Sequence, residues 1–135
     1  MRPYTQVLGQ LRTAGLRPTR QRLALAKLLF EQGARHVTAE MLHAEAQESS
    51  VRVSLATVYN TLHQFTEAGL LREIVVDPTR SYFDTTTEEH GHFFMESSGE
   101  LMDIPAHQLA LASIPEAPAG TRVSGIDIVI RVAQE

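Results

Sequence analysis

The stretch that decides the fold spans residues 54–84 and reads SLATVYNTLHQFTEAGLLREIVVDPTRSYFD. Its first half predicts a helix that Ser54 caps and Gly69 ends. One face of this helix is apolar and belongs to a core: Leu55, Val58, Leu62 and Phe65. The opposite face carries small and hydrogen-bonding side chains, which suit base edges and phosphates but also occur on ordinary surface helices: Ala56, Thr57, Asn60, His63, Gln64 and Glu67, with Tyr59 on the flank.

The second half of the stretch predicts a β-hairpin, because two β-prone runs, 71–76 and 80–84, flank the turn signal Asp77-Pro78-Thr79. Helices followed directly by a hairpin are the order of a winged helix, in which the helix before the hairpin enters the major groove of DNA. Three further helices are predicted upstream: one over Tyr4–Ala14, one from near Pro18 to Gly33, and one that Thr38 caps and that buries Met41, Leu42 and Ala46.

Charge is divided along the chain. Residues 1–30 contain six Lys and Arg and no Asp or Glu, whereas residues 87–135 contain two basic and eight acidic residues. The net charge of −4 therefore hides a basic N-terminal third that can meet phosphate and an acidic C-terminal part.

The absence of cysteine narrows the chemistry. It excludes disulfides, thiolate nucleophiles and zinc sites that use sulfur, so any metal must be held by nitrogen and oxygen. The sequence also has no His-Glu-x-x-His motif, no phosphate-binding glycine loop and no nucleophile elbow, so we do not expect an enzyme. Export-signal features and long apolar runs are missing too, and we expect a cytoplasmic protein with no membrane partner.

Composition changes after Asp84, and the remainder predicts a small α/β unit. A Thr-rich and Glu-rich linker leads to a second hairpin around Ser97-Ser98-Gly99, a short helix over 105–113, and an aliphatic strand over 122–132 with a bulge near Gly125. So small a unit exposes an apolar face or a sheet edge unless a second copy covers it, which predicts a homodimer.

We therefore predict an α+β fold in which an N-terminal winged helix-turn-helix is followed by a small α/β dimerisation domain. The expected boundaries are 1–85 for the DNA-binding domain, 86–90 for a hinge and 91–135 for the dimerisation domain.

Two histidines flank a glycine at the start of the second domain. In a strand, a spacing of two places the imidazoles of His90 and His92 on one face, where both can ligate a metal. Nitrogen and carboxylate donors suit Fe²⁺, Mn²⁺ or Zn²⁺. Carboxylates lie close in the sequence: Asp84, Glu88, Glu89 and Asp103. From the local pattern alone, His36 is a polar residue near a helix N-terminus, His43 and His63 are surface residues of helices, and His107 lines the predicted short helix.

Three strings resemble the ferric uptake regulator family, and within it the iron response regulator branch, known for responding to haem status. They are GLRPTRQR at 15–22, HVTAE at 36–40 and SLATVY at 54–59, and the resemblance covers nearly the whole chain. It implies a homodimer on a double-stranded DNA operator. The regulatory metal site that it implies is His36, Asp84, His90, His92 and Asp103, and the DNA-binding residues are Arg17, Arg20, Thr57, Tyr59 and Asn60.

The sequence also departs from the family pattern. Met95 and Ser98 stand where the family's structural zinc has paired cysteines, and Gly91 stands where the iron response branch has a histidine. The haem motif that contains cysteine is likewise missing, although haem ligation by His90 or His92 remains chemically open.

Several alternatives stay open on sequence grounds. Aspartate at both carboxylate positions resembles the peroxide-sensing branch, in which ferrous iron drives oxidation of ligand histidines. A metal carrier or metal-dependent enzyme without a DNA role, and a winged-helix protein that binds DNA constitutively, are the others.

Overall fold

A computed structural model describes residues 5–88 and 90–135 of the 135-residue chain. The chain separates into two compact units, Met1–Thr87 and Glu88–Glu135. The N-terminal unit contains helices α1 (Thr5–Thr13), α2 (Arg20–Phe30), α3 (Ala39–Glu48) and α4 (Leu55–Glu67), and strands β1 (His36–Val37), β2 (Arg72–Asp77) and β3 (Arg80–Asp84). The C-terminal unit contains strands β4 (His92–Met95), β5 (Leu101–Asp103) and β6 (Val129–Val132), with a 3-10 turn at Ala106–Gln108.

Hydroxyl caps begin helices α2, α3 and α4. The side chains of Thr38 and Ser54 each accept a backbone N–H in the first turn of their helix, as the sequence predicts. Helix α2 starts later than predicted, because Thr19 rather than Pro18 is at the boundary: its hydroxyl accepts the N–H of Arg22 at 3.2 Å. At the end of α4, Gly69 takes a φ of +84°, and the Leu70 N–H reaches back to the Phe65 carbonyl at 2.9 Å.

The core of this unit forms where the helices meet, and α4 contributes Val58, Leu62 and Phe65 to it. Met41 was predicted to be buried and is not: 43% of it is exposed. The buried residues of α3 are Ala39, Leu42 and Ala46, and Met41 lies about 100° around the helix from Leu42. Helical phase therefore turns Met41 to the surface.

The hairpin predicted at 71–84 is present as β2 and β3. A third strand, β1, was not predicted, and it makes the sheet order β1-β3-β2 with both pairings antiparallel. This architecture confirms the winged helix predicted from residues 54–84.

In the C-terminal unit, β4 lies between β5, to which it pairs antiparallel, and β6, to which it pairs parallel. The predicted helix over 105–113 is wrong beyond its first turn, because Leu109 has an extended backbone and its side chain packs over Gly91. The predicted strand over 122–132 is shortened to Val129–Val132, since the pairing partner begins only at His92, opposite Val129.

This unit buries little apolar surface as a single chain. Its buried apolar side chains are Phe94, Leu101 and Ile104. Large exposed ones are more numerous: Met102, Leu111, Ile114, Val123 and Ile130. Among the helices described here, the longest, α4, has 13 residues, and none is long and apolar enough to cross a membrane.

Candidate metal centre and nucleic-acid interface

In the N-terminal unit, a histidine and an aspartate are paired across two strands. His36 of β1 lies directly opposite Asp84 of β3, and the His36 Nε2 is 3.2 Å from the Asp84 Oδ2. Asp84 is almost fully buried, and its other oxygen accepts the Thr86 N–H at 2.9 Å. A buried carboxylate needs a compensating positive charge, which a protonated imidazole or a bound cation supplies.

The residue before His36 fixes the short strand that carries it. The Arg35 N–H donates to the Thr85 hydroxyl at 2.9 Å, and the Thr85 N–H donates to the Arg35 carbonyl at 3.1 Å. The Arg35 guanidinium also donates to both Glu45 carboxylate oxygens, on α3, and to the Leu28 carbonyl, on α2. These bonds hold β1 against two helices, so His36 is set in place by the fold of its own unit.

In the C-terminal unit, two histidines converge on one carboxylate. The Nε2 atoms of His90 and His92 lie 2.9 and 3.2 Å from the Asp103 Oδ1, and their ring centroids are 4.3 Å apart. His92 is buried and lies directly opposite Asp103 across β4 and β5. Each unit therefore contributes a cross-strand His–Asp pair: His36–Asp84 in one and His92–Asp103 in the other.

The hydrogen bonds of His90 leave its Nε2 as a ligand atom. Its Nδ1 lies 2.7 Å from the Glu88 carbonyl oxygen, which only accepts, so Nδ1 carries a proton. In the neutral ring, Nε2 then points a lone pair at the Asp103 carboxylate, and a second proton or a cation must separate the two. This is the arrangement of metal-ligating histidines, whose other ring nitrogen donates to a carbonyl or carboxylate.

The donors in each unit are thus of the type that binds first-row divalent cations. In each unit the candidate ligand atoms lie within 4.8 Å of one another, and all are nitrogen or carboxylate oxygen. For His36 the local sequence indicates only a polar residue near a helix N-terminus, because β1 has two residues and too little pattern to predict a strand. The supporting Glu88 carbonyl and the Arg35–Glu45 pair carry no sequence signal of this kind.

At the positions where the family binds its structural zinc through cysteines, this chain has no cysteine ligand. The chain has no cysteine, Met95 is the last residue of β4, and the Ser98 hydroxyl accepts the Glu100 N–H in the turn that follows.

Beside His90 lies an apolar pocket lined by Gly91, Ile104, Ala106, Leu109, Leu111, Ile114, Ile126 and Ile128. A Cβ atom at position 91 would overlap the Leu109 Cδ2, so the Leu109 side chain fills the space that any larger residue at position 91 would need.

The residues predicted to bind DNA fall on two sides of α4. Arg17 lies in the loop before α2 and is exposed, as is Arg20 in the first turn of that helix. A polar cleft runs between this region and α4, lined by Arg17, Thr19, Gln21, Arg22, Thr57, Asn60, Thr61 and Gln64. Arg20 is not among the lining residues of the cleft.

Tyr59 lies on the other side of α4 and is tied to α3. Its hydroxyl donates to the Glu40 Oε1 at 2.7 Å, and its ring stacks at 19° on that of His63, with centroids 6.5 Å apart. This hydrogen bond is the main reason that the pKa of Glu40 is lowered and the pKa of Tyr59 is raised. Tyr59 nevertheless remains 37% exposed.

The tip of the β2–β3 hairpin is closed by Asp77. One carboxylate oxygen accepts the N–H and hydroxyl of Thr79, and the other accepts two N–H groups of Arg80. The Thr79 hydroxyl, followed by Arg80, holds the pKa of Asp77 well below its usual range.

A sequence model described as the ferric uptake regulator family matches residues 13–128. The chain belongs to the ferric uptake regulator family. Among curated relatives, it is 32% identical over 102 residues to the peroxide-responsive repressor PerR of Staphylococcus aureus (strain Mu50), a match that covers 76% of this chain and 68% of that protein.

Solved structures of the ferric uptake regulator family share the fold. The Pseudomonas aeruginosa ferric uptake regulator with manganese is 24% identical, with a TM-score of 0.70 over 95% of this chain and 97% of that one. The Francisella tularensis ferric uptake regulator with iron is 18% identical, with a TM-score of 0.70 over 90% of this chain and 93% of that one.

Membership of this family establishes the general function. The chain is a metal-responsive, DNA-binding transcription regulator. The sequence-level expectation of a DNA-binding regulator is confirmed at this level.

Proposed function

We propose that this protein is a homodimeric repressor of iron and haem homeostasis genes, controlled by a divalent metal that joins its two units. The proposal rests on the two cross-strand His–Asp pairs, one in each unit. The proposed ligands are His36, Asp84, His90, His92 and Asp103. The proposed division is a DNA-binding domain over 1–85, a hinge over 86–90 and a dimerisation domain over 91–135.

A metal with ligands on both units acts by selecting their relative orientation. It shifts this equilibrium only by its differential affinity for the orientation that binds DNA. Because β1 and β3 carry two of the proposed ligands and lie in the same unit as α4, a bound metal would be held by the unit that carries the proposed recognition helix.

Ferrous or manganous ion is the proposed ligand in the cell, and Zn²⁺ also fits the donors. Iron and manganese are the metals named for the two similar solved structures, and nitrogen with carboxylate suits both. Haem is a further candidate, because the resemblance to the iron response branch implies it and an apolar pocket borders His90. His90 or His92 would hold the haem iron.

A second candidate function is peroxide sensing by a metal-dependent repressor. The 32% identity to the Staphylococcus aureus peroxide-responsive repressor favours it, as do aspartates at both carboxylate positions of the proposed site. Ferrous iron bound there would place His90 and His92 in reach of oxidation. Peroxide treatment of the ferrous protein, followed by mass spectrometry, distinguishes the two candidates. A gain of about 16 daltons on one of these histidines, the mass of one oxygen atom, would support peroxide sensing.

For DNA, we propose roles for five residues on or near the polar cleft and α4. Arg17 and Arg20 would contact the backbone or the minor groove, and the α4 residues would face the major groove: Thr57, Tyr59 and Asn60. The expected operator is a palindrome, since a two-fold dimer presents two copies of the same surface.

The deciding experiment titrates promoter DNA with the protein in the presence of iron, manganese, zinc or haem, with and without chelator. In a gel-shift assay, metal-dependent retardation of the DNA supports the proposal if the binding affinity also falls steeply with salt. This dependence is expected because phosphates neutralised by the protein release counterions. Retardation that no ligand alters would indicate a constitutive DNA-binding protein. Metal binding without any retardation would indicate a carrier or an enzyme.

A matched pair of variants tests the metal site. His92→Ala should weaken binding of the divalent ion far more than His43→Ala, because His43 lies on α3, outside the proposed ligand set. Equal effects would refute the assignment. A second test uses Arg17→Ala combined with Tyr59→Ala, which should abolish operator binding and leave the dimer intact by sedimentation.

A further inference from the structure

The side chain of Arg22 joins α2 to α4 across the polar cleft. Its Nε and one terminal nitrogen lie 3.3 and 2.9 Å from the Gln64 Oε1, and its other terminal nitrogen donates to the Arg17 carbonyl at 2.9 Å. One guanidinium therefore links the loop before α2, which carries Arg17, to the last turns of α4.

This contact fixes the orientation of the Gln64 amide. Arginine has only donors, so the side of the amide that faces it must be the oxygen. The Gln64 oxygen accepts from two Arg22 nitrogens, and the NH₂ group on the opposite side of the amide carbon is directed away from them. Gln64 is exposed and lies one helical turn beyond Asn60, at the same cleft.

We propose that Gln64 contacts DNA as a hydrogen-bond donor, and that Arg22 is the positioning residue that holds it in this state. The proposal rests on the DNA-binding function proposed above and adds a residue pair to it. The DNA group that it fits is an acceptor oxygen or nitrogen, either on a base edge in the major groove or on a phosphate.

The structure favours positioning over a simple charge role for Arg22. Three of its N–H directions are already used on protein oxygens, whereas a phosphate-binding arginine directs its fork at the DNA. Replacing Arg22 by lysine keeps the charge and removes the fork. The two roles therefore predict opposite results for Arg22→Lys.

The test starts from a duplex that the metal-loaded wild-type chain enriches from a random DNA pool. Fluorescence anisotropy then compares Arg22→Lys, Gln64→Met, the double variant, and Arg12→Lys as a matched control at an exposed position of α1. We expect Arg22→Lys and Gln64→Met each to weaken binding about tenfold, the double variant to bind no worse than Gln64→Met alone, and Arg12→Lys to bind as the wild type. The salt slope of Arg22→Lys should equal that of the wild type, because no charge is lost.

Repeating the selection with Gln64→Met identifies the acceptor. Loss of preference at one base position assigns it to a base edge, and weaker binding with an unchanged preferred sequence assigns it to a phosphate.

Three results would overturn the proposal: wild-type affinity in both single variants, additive losses in the double variant, or a loss in Arg22→Lys that is matched by a fall in thermal midpoint or in metal affinity. A wild-type chain that enriches no duplex overturns the DNA-binding function itself, whereas an enriched duplex bound equally by all variants overturns only the roles of Arg22 and Gln64.

Discussion

Tyr59 cannot donate its hydroxyl proton to DNA while it donates it to Glu40, and this competition gives a measurable prediction. The hydroxyl lies 2.7 Å from the Glu40 Oε1 in the free protein. Replacing Glu40 by glutamine keeps an acceptor of the same shape but removes its charge, which weakens the hydrogen bond and removes a negative charge close to the proposed DNA surface. Glu40→Gln should therefore bind the operator more tightly than the wild type.

The size of the effect follows from the exposure of the pair. A hydrogen bond to a charged group contributes up to about 3 kcal/mol when buried, but exposed pairs contribute about 1 kcal/mol or less. Because Tyr59 is 37% exposed, we take the lower range. Release of about 1 kcal/mol corresponds to about a fivefold gain in operator affinity.

The assay is fluorescence anisotropy on the selected duplex at fixed ionic strength and saturating metal. Glu48→Gln, at the other end of α3, removes the same charge and is the matched control. The gain of Glu40→Gln should exceed that of Glu48→Gln, and in a Tyr59→Phe background it should fall to the gain that Glu48→Gln gives, since only the loss of charge then remains. Weaker binding by Glu40→Gln would mean that Glu40 positions Tyr59 for DNA instead of competing with it.

The same pair has a defined pH window in the free protein. The lowered pKa of Glu40 means that its contribution to stability is present above the ordinary value of 4.5 and is lost as pH falls through the lowered pKa. The raised pKa of Tyr59 means that its contribution is present below 10.0 and is lost as pH rises through the raised pKa. Urea denaturation should show the stability difference between wild type and Glu40→Gln only between these limits.

Three further predictions concern stability. Leu62→Ala, at a fully buried position of α4, should lower the free energy of unfolding by about 2–5 kcal/mol in urea, and a loss near zero would contradict its place in the core. Asp77→Asn should lower the thermal midpoint at neutral pH, and the midpoints should converge as pH falls through the low pKa of Asp77; a difference that persists in acid would exclude the charge as its cause. Gly91→Ala should destabilise the C-terminal unit by crowding Leu109, and Leu109→Ala should restore stability in the double variant if this contact is responsible.

The sequence predicts the elements whose signals are local. Ser54 and Thr38 cap their helices as expected, because a hydroxyl before an apolar period is sufficient to mark a helix start. The phase of a short helix is less certain, since Met41 and Leu42 are adjacent and equally apolar, and only packing decides which is buried. Local pattern does not predict elements that depend on a distant partner: β1 exists because β3 offers an edge, and β6 is short because β4 is short.

The candidate site shows the same division. The spacing of His90 and His92 predicts neighbouring imidazoles, and in the structure their rings lie side by side. Only the family resemblance implies His36 as a ligand, since its pairing with Asp84 joins residues 48 positions apart through a strand too short to predict. Local sequence pattern therefore does not predict a site whose residues are brought together by cross-strand register.

Each His–Asp pair is fixed by the strand register within its own unit, and this affects the metal concentration to which the protein responds. In the proposed regulator, an ion held by one pair meets the other at an effective concentration that depends on the tether between them, and not on the amount of protein in the cell. Residues inserted between Thr87 and Glu88 would leave both pairs intact and lengthen that tether. Because closure entropy grows only with the logarithm of loop length, each doubling of the tether would cost about 0.6 kcal/mol, or about a threefold loss of affinity. A change in the length of the tether thus changes the metal concentration at which the proposed repressor responds, while all of the proposed ligands stay the same.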